Sequence, residues 1–225
     1  METQELIEKI GLCVARGKVN IASPFPKDML GQEGTDELTR RALEIECPPD
    51  KILLACNDGM QVIGSKFGRG EAFVPELLMS AKAMNAVMAH LKPFFKAGTV
   101  KTKGKFLLGT VMGDLHDIGK NLVSMVVEGN GWEVIDLGVD CKTQKFIDKI
   151  KENPGCIVGL SALLTTTMAN MAKTVEEIKA QFPETKVIVG GAPLSIGAAI
   201  KMGADGYSPN PQGAVEYLNN CLIAS

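Results

Sequence analysis

The chain has 225 residues, 45% of them hydrophobic and 22% charged, with a formal net charge of -2 and a sequence pI near 5.8. These bounds describe an ordinary globular chain of one large or two small domains and exclude a strongly basic face for nucleic acid. No apolar run approaches the ~18 residues of a membrane-spanning helix. Met1-Glu2-Thr3-Gln4-Glu5 lacks a cationic and apolar leader pattern, so the expected address is the cytoplasm. In a reducing compartment Cys13, Cys47, Cys56, Cys141, Cys156 and Cys221, far apart and without a Cys-x-x-Cys pair, read as free thiols with no zinc spacing.

Residues 1–33 read as a weakly helical lead followed by Ser23-Pro24-Phe25-Pro26, which must be extended because each proline restricts its neighbour, and the whole is expected to be an arm or linker. From Gly34 the character becomes helical. Thr35, Leu38 and Ala42 mark the face of one helix, and Ile52, Cys56, Met60, Ile63 and Phe67 that of a second, ended by Gly68-Arg69-Gly70. A third helix is expected from Val74 to Phe94, with Pro75 tolerated in its first turn. Each apolar stripe must be buried against another helix, so residues 34–97 predict a helical bundle. The polar, glycine-flanked segment 98–104 reads as an interdomain linker and hinge.

Residues 105–225 then alternate. Strands are expected at 106–110, 133–137, 157–160, 187–189 and 206–207, and helices at 119–129, 143–152, 166–181, 195–202 and 211–222. Five repeats of strand then helix demand a parallel sheet with right-handed crossovers. The fold class is α/β: a helical bundle plus a flavodoxin-like, Rossmann-type five-stranded parallel sheet, with leading strand order 2-1-3-4-5.

In the loop after the first strand, Asp114 stands two residues before His116. A carboxylate so placed can hold one imidazole nitrogen and leave the other as a lone-pair donor of fixed tautomer, which suits a metal ligand or a general base. The bland alternative is a turn histidine capped by its neighbour; Gly113 and Gly119 weigh against it, because they let a bulky group approach the backbone. The expected strand order brings two further loops beside this one, carrying Ser161 through Thr167 and Gly190 with Gly191. Taken singly, the hydroxyls could cap the next helix and the glycines could merely end a strand. Together they argue for a ligand with a long flat tail, of the kind a phosphate-linked nucleotide has.

Asp114-Leu115-His116-Asp117-Ile118-Gly119 resembles the Asp-x-His-x-x-Gly signature of cobalamin-binding domains, and Ser161-Ala162-Leu163 and Gly190-Gly191 match the family's Ser-x-Leu and Gly-Gly marks in order and spacing. The resemblance runs from Gly34 onward and is closest to the small corrinoid proteins of anaerobic methyltransferase systems. It implies a cobalamin or related corrinoid bound base-off/His-on, with His116 replacing the lower nucleotide base on cobalt and the detached dimethylbenzimidazole tail lying in a channel beside the sheet. Asp114 matches the carboxylate that bonds the histidine, and Thr167 the hydroxyl that completes the relay, where some members have serine. Gly113, Asp117, Ile118 and Gly119 complete the loop's share of the cofactor site. Ser161, Leu163 and Thr165 match tail contacts, and Gly190 and Gly191 leave room for them.

The segment Gly70-Glu71-Ala72-Phe73-Val74-Pro75 resembles the family's Gly-x-x-Phe-x-Pro stretch in a cap over the upper corrin face, so Phe73 is a candidate shield for the cobalt; ordinary bundle core is the alternative. The implied function is methyl carriage, not catalysis by the chain alone. Co(I) would accept a methyl group from a substrate:corrinoid methyltransferase, and methyl-Co(III) would deliver it to a methyl-corrinoid:tetrahydrofolate methyltransferase, with a reductive activator restoring oxidised Co(II). The general resemblance leans toward O-demethylation of methoxylated aromatics, with methanol, methylamine or betaine as alternatives. A cobalamin sensor or a non-cobalamin flavodoxin-like module are readings of another class; a sensor's basic DNA-binding element is not visible, and the latter leaves Asp114-x-His116 unused.

Overall fold

In a computed structural model of the chain, residues 2–96 and 102–223 are described. They fall into two compact units, one of Met1–Thr102 with Glu128–Gly131, the other of Lys103–Val127 with Trp132–Ser225. The linker expected at 98–104 lies mostly outside the described residues.

The first unit is a bundle of α1 (Glu2–Arg16), α2 (Thr35–Glu44), α3 (Pro49–Gly68) and α4 (Val74–Lys96). The first element corrects the sequence expectation, since residues 1–33 are no arm. Leu6, Ile7, Ile10, Cys13 and Val14 form one buried face of α1, and the helix crosses α3 at a glycine contact so close that a Cβ on Gly59 would stand 2.4 Å from the Gly11 carbonyl oxygen. The stretch that follows is tied down as well, with Thr35 N–H on Lys18 O at 3.0 Å and Asp36 N–H on Val19 O at 2.9 Å. Glu37 accepts the backbone N–H of Gly34 at 2.9 Å and so caps α2 from inside its first turn.

The second unit is the expected doubly wound sheet. Strands β1 (Lys105–Thr110), β2 (Glu133–Asp136), β3 (Ile157–Ser161), β4 (Val187–Gly190) and β5 (Gly206–Ser208) are all parallel, in the order β2-β1-β3-β4-β5. Between them run α5 (Ile118–Gly129), α6 (Thr143–Glu152), α7 (Met168–Gln181), α8 (Ile196–Lys201) and, after β5, α9 (Pro211–Ile223).

The period-two alternation of the strands divides the side chains between two unlike faces. Leu107, Val158, Leu160, Val187 and Val189 point to one side, where Phe146, Ile150, Met171, Val175 and Ile178 of α6 and α7 pack on them in a continuous core. On the other side the register aligns Leu108 with Gly159 and Gly159 with Ile188. The Phe106 ring lies over Gly159, where a Cβ would stand 2.4 Å from it, and beside this row a cavity opens, lined also by Leu122 and Val123 of α5 and Ala214 of α9.

Candidate functional site

Strand β1 lies between β2 and β3, so the loop leaving it is held from both sides. Its hub is Asp114, whose side chain is fully buried. Oδ1 accepts the His116 backbone N–H at 3.1 Å and sits 2.7 Å from His116 Nδ1. Oδ2 accepts Leu163 N–H at 2.7 Å, Leu164 N–H at 3.2 Å and the Thr167 hydroxyl at 2.9 Å, all from the loop after β3. Burial alone would raise this carboxyl's pKa, but the donors from Leu163, His116 and Thr167 together outweigh it and hold the group well below the usual carboxylate range.

An ionised carboxylate only accepts hydrogen bonds, so Nδ1 of His116 carries the proton and Nε2 is left with its lone pair. The imidazole is half exposed, and among the described residues nothing else bonds to it. The backbone of the loop is clamped from below, where the buried Thr110 hydroxyl donates to His116 O at 2.9 Å. The turn reading of Asp114-x-His116 is thus true of one oxygen and leaves the other unexplained, since Oδ2 gathers donors some fifty residues away in sequence.

Beside this loop the cavity on the open face of the sheet measures about 590 Å³, within the range of ligand pockets. At the carboxyl edge Ser161, Gly190 and Ser208 share one register row; the next row inward is Leu108, Gly159 and Ile188, about 6–7 Å deeper. Gly191, at φ +139, admits no side chain, because a Cβ would stand 1.8 Å from Ala162 O. A Cβ on Gly119, by contrast, would enter open space.

The structure brings Asp114, His116 and Thr167 into one network, and places Asp117, Ile118, Gly119, Ser161, Leu163, Gly190 and Gly191 on the cavity wall. Gly113, at φ +84, shapes the turn ahead of Asp114. The capping alternative for the hydroxyls fails for Thr167, which precedes α7 without a side-chain capping bond. One expected residue falls elsewhere. Thr165 opens a short 3-10 turn, exposed and off the cavity wall. Phe73 belongs to the bundle unit and is 68% exposed, so it is not bundle core.

Sequence reasoning missed Leu164, Thr110 and Lys120. Backbone donors such as Leu164 N–H leave no residue signature. Lys120 did carry one, a lysine inside an apolar helical run: it is buried on the cavity wall with Nζ 2.5 Å from Asp136 and 2.8 Å from Asn121 Oδ1.

These features fit a corrinoid. A cobalt that arrives in its own ring of nitrogen ligands needs one protein donor, and the site offers one oriented imidazole; among the described residues no cluster of three or more His, Cys, Asp or Glu could hold a bare metal ion. The cavity beside it, about 590 Å³, has room for part of a nucleotide tail.

A doubly wound sheet with one oriented imidazole at its edge and an open apolar channel beneath is the frame of a cobalamin-binding protein. Residues 104–216 match the B12 binding domain family, and residues 30–92 match a second family of the same description. A corrinoid protein of Desulfitobacterium hafniense is 40% identical over 192 residues, covering 83% of this chain and 89% of that one. A dimethylamine corrinoid protein of Methanosarcina acetivorans is 39% identical over 181 residues, 79% of this chain and 85% of that one. Among solved structures, the methanol:cobalamin methyltransferase complex of Methanosarcina barkeri aligns with a TM-score of 0.80 at 25% identity, covering 98% of this chain and 81% of that one. The chain belongs to the family of B12-binding corrinoid proteins of methyltransferase systems.

Proposed function

We propose that the chain is a methyl carrier that holds its corrinoid base-off through His116 and passes methyl groups between two partner enzymes. The observation that carries this reading is the His116–Asp114–Thr167 network at the mouth of the channel. When bound, the corrinoid supplies a cobalt centre able to take a methyl group from one partner and yield it to another. His116 Nε2 would hold the cobalt, and Asp114 Oδ1 fixes the ring by holding the Nδ1 proton. A proton placed on Nε2 in the absence of the metal would be stabilised by the Asp114 carboxylate and, through it, by the Thr167 hydroxyl. Ser161, Leu163, Gly190 and Gly191 line the space for the nucleotide tail, and Phe73 is the proposed shield for the upper face.

The partners are a substrate-specific methyltransferase, a second methyltransferase acting on tetrahydrofolate, and a reductive activator, in the cytoplasm. No helix among the described residues is long and apolar enough to cross a membrane. The general resemblance supports methoxylated aromatics as donors. The dimethylamine and methanol systems named for the relatives favour methylamine or methanol as the second reading.

The test is electron paramagnetic resonance of the Co(II) form, with and without nitrogen-15 in histidine. A change of the axial splitting from triplet to doublet is expected. An unchanged triplet means that the nucleotide base still holds the metal, and the reading falls. The only other histidine, His90, is paired with Asp36 in the bundle unit at 2.6 Å.

A further inference from the structure

The loop after β2 carries no residue of the functional reading above, yet it grips the segment that carries Asp114. Leu137 N–H bonds Leu108 O at 2.8 Å, Thr110 N–H bonds Gly138 O at 3.0 Å, and Cys141 N–H bonds Thr110 O at 2.9 Å, so the two loops run on side by side beyond their strands. Asp140 completes this pairing in two ways. Its Oδ1 accepts the Gly113 N–H at 2.7 Å, and its own N–H donates to Asp114 O at 3.0 Å. The two bonds bracket the backbone of Gly113 and Asp114. To make both, Asp140 adopts φ +51, the left-handed region that aspartate and asparagine tolerate and most side chains avoid.

We propose that Asp140 is a positioning residue of the corrinoid centre. Asp114 is then fixed from two sides of β1: its side chain by the donors after β3, its backbone by Asp140 after β2. Without the second grip the turn at Gly113 keeps only the Asn170 amide on Met112 O, at 2.8 Å, and the Asp114 N–H on Val111 O, at 3.1 Å, around a glycine with no side chain to limit its rotation. The carboxylate would then lose its fixed distance to His116 Nδ1, and Nε2 its direction. The assignment rests on His116 being the axial ligand, but the hydrogen-bond geometry it explains exists in the protein without cofactor.

Three substitutions separate the two contributions. Asp140→Asn keeps a carbonyl acceptor and tolerates the left-handed backbone; Asp140→Gly keeps the backbone and loses the acceptor; Asp140→Ala loses both. Full-length protein without corrinoid is measured first, by the rate at which the His116 Nδ1 proton exchanges with water in nitrogen-15 NMR. Exchange about tenfold faster in the Gly and Ala variants is expected from the loss of one hydrogen bond to a charged group, with Asn, which keeps a neutral acceptor, much nearer the natural rate. The reconstituted Co(II) proteins are then compared by axial nitrogen splitting, where the Gly and Ala variants should show a mixture of histidine-ligated and unligated centres and Asn the natural spectrum. The Gly variant relieves backbone strain, so it guards against a result caused by misfolding. Natural exchange and splitting in the Gly variant overturn the proposal, as does an Asn variant as damaged as Ala. If the natural protein shows no histidine ligation at all, the parent reading fails, while the exchange series still decides what Asp140 does.

Discussion

Asp114 is acceptor to five donors with two oxygens, and everything His116 can do depends on it. Asp114→Asn replaces one acceptor oxygen by a donor that would face either His116 Nδ1–H or the Leu163 N–H. Weaker histidine ligation in the Co(II) spectrum and slower methyl release are expected; an unchanged spectrum with unchanged transfer rates would remove the relay. Thr167→Val deletes one hydroxyl donor to a charged group and should lower stability by about 2 kcal/mol in urea unfolding, whereas Thr167→Ser, which keeps the hydroxyl, should retain most of it. The same hub sets an acid limit. Because the folded pKa of Asp114 is depressed below the ordinary value of about 3.9, its contribution to stability is complete above that value and is lost as pH falls through the folded pKa. The Asp114→Asn protein should therefore lose less stability than the natural one between about pH 4 and pH 2.

At the scale of elements, the channel predicts which corrinoids fit. Its edge row carries Ser161 and Ser208, but the row beneath is Leu108, Gly159 and Ile188, and the one buried cation on its wall, Lys120, is engaged by Asp136 and Asn121. An apolar benzimidazole tail suits such a lining; a purine tail would bury amino and ring nitrogens without partners. Affinity for cobalamin should exceed that for an adenine-tailed corrinoid by about tenfold or more in equilibrium titration; equal affinities would place the base elsewhere.

The sheet itself was legible because strands buried on both faces read as short apolar runs between helical periods, and the order 2-1-3-4-5 then brought Asp114, Ser161 and Gly190 to one edge. The helical character of the first residues is legible, but their place in the bundle is not, because the prolines after them suggest an extended arm although Leu6, Ile10 and Val14 have helical spacing. Asp140 was beyond reach for another reason. Its work depends on a backbone angle and on which strand lies beside β1, and neither is written in its residue type.

For the molecule as a whole, the two units differ in what they need to fold. The bundle closes its own interior with Ile10, Ile52, Met60, Leu77, Met84 and Leu91, all buried. The sheet unit is covered on both faces but keeps a cavity on one of them, and the lone tryptophan, Trp132, reports on that unit: it is buried with Nε1 3.3 Å from Asn219 Oδ1.

The cavity on this face of the sheet carries a consequence for how the domain has been selected. Stability and occupancy compete for the same volume, so the sequence stands away from its own stability optimum. Ala214→Leu, on the channel wall, should raise the melting temperature of cofactor-free protein by a few degrees, read from Trp132 fluorescence, and weaken corrinoid binding by about tenfold. A thermostability screen run on the empty protein would enrich substitutions of this kind and discard the carrier.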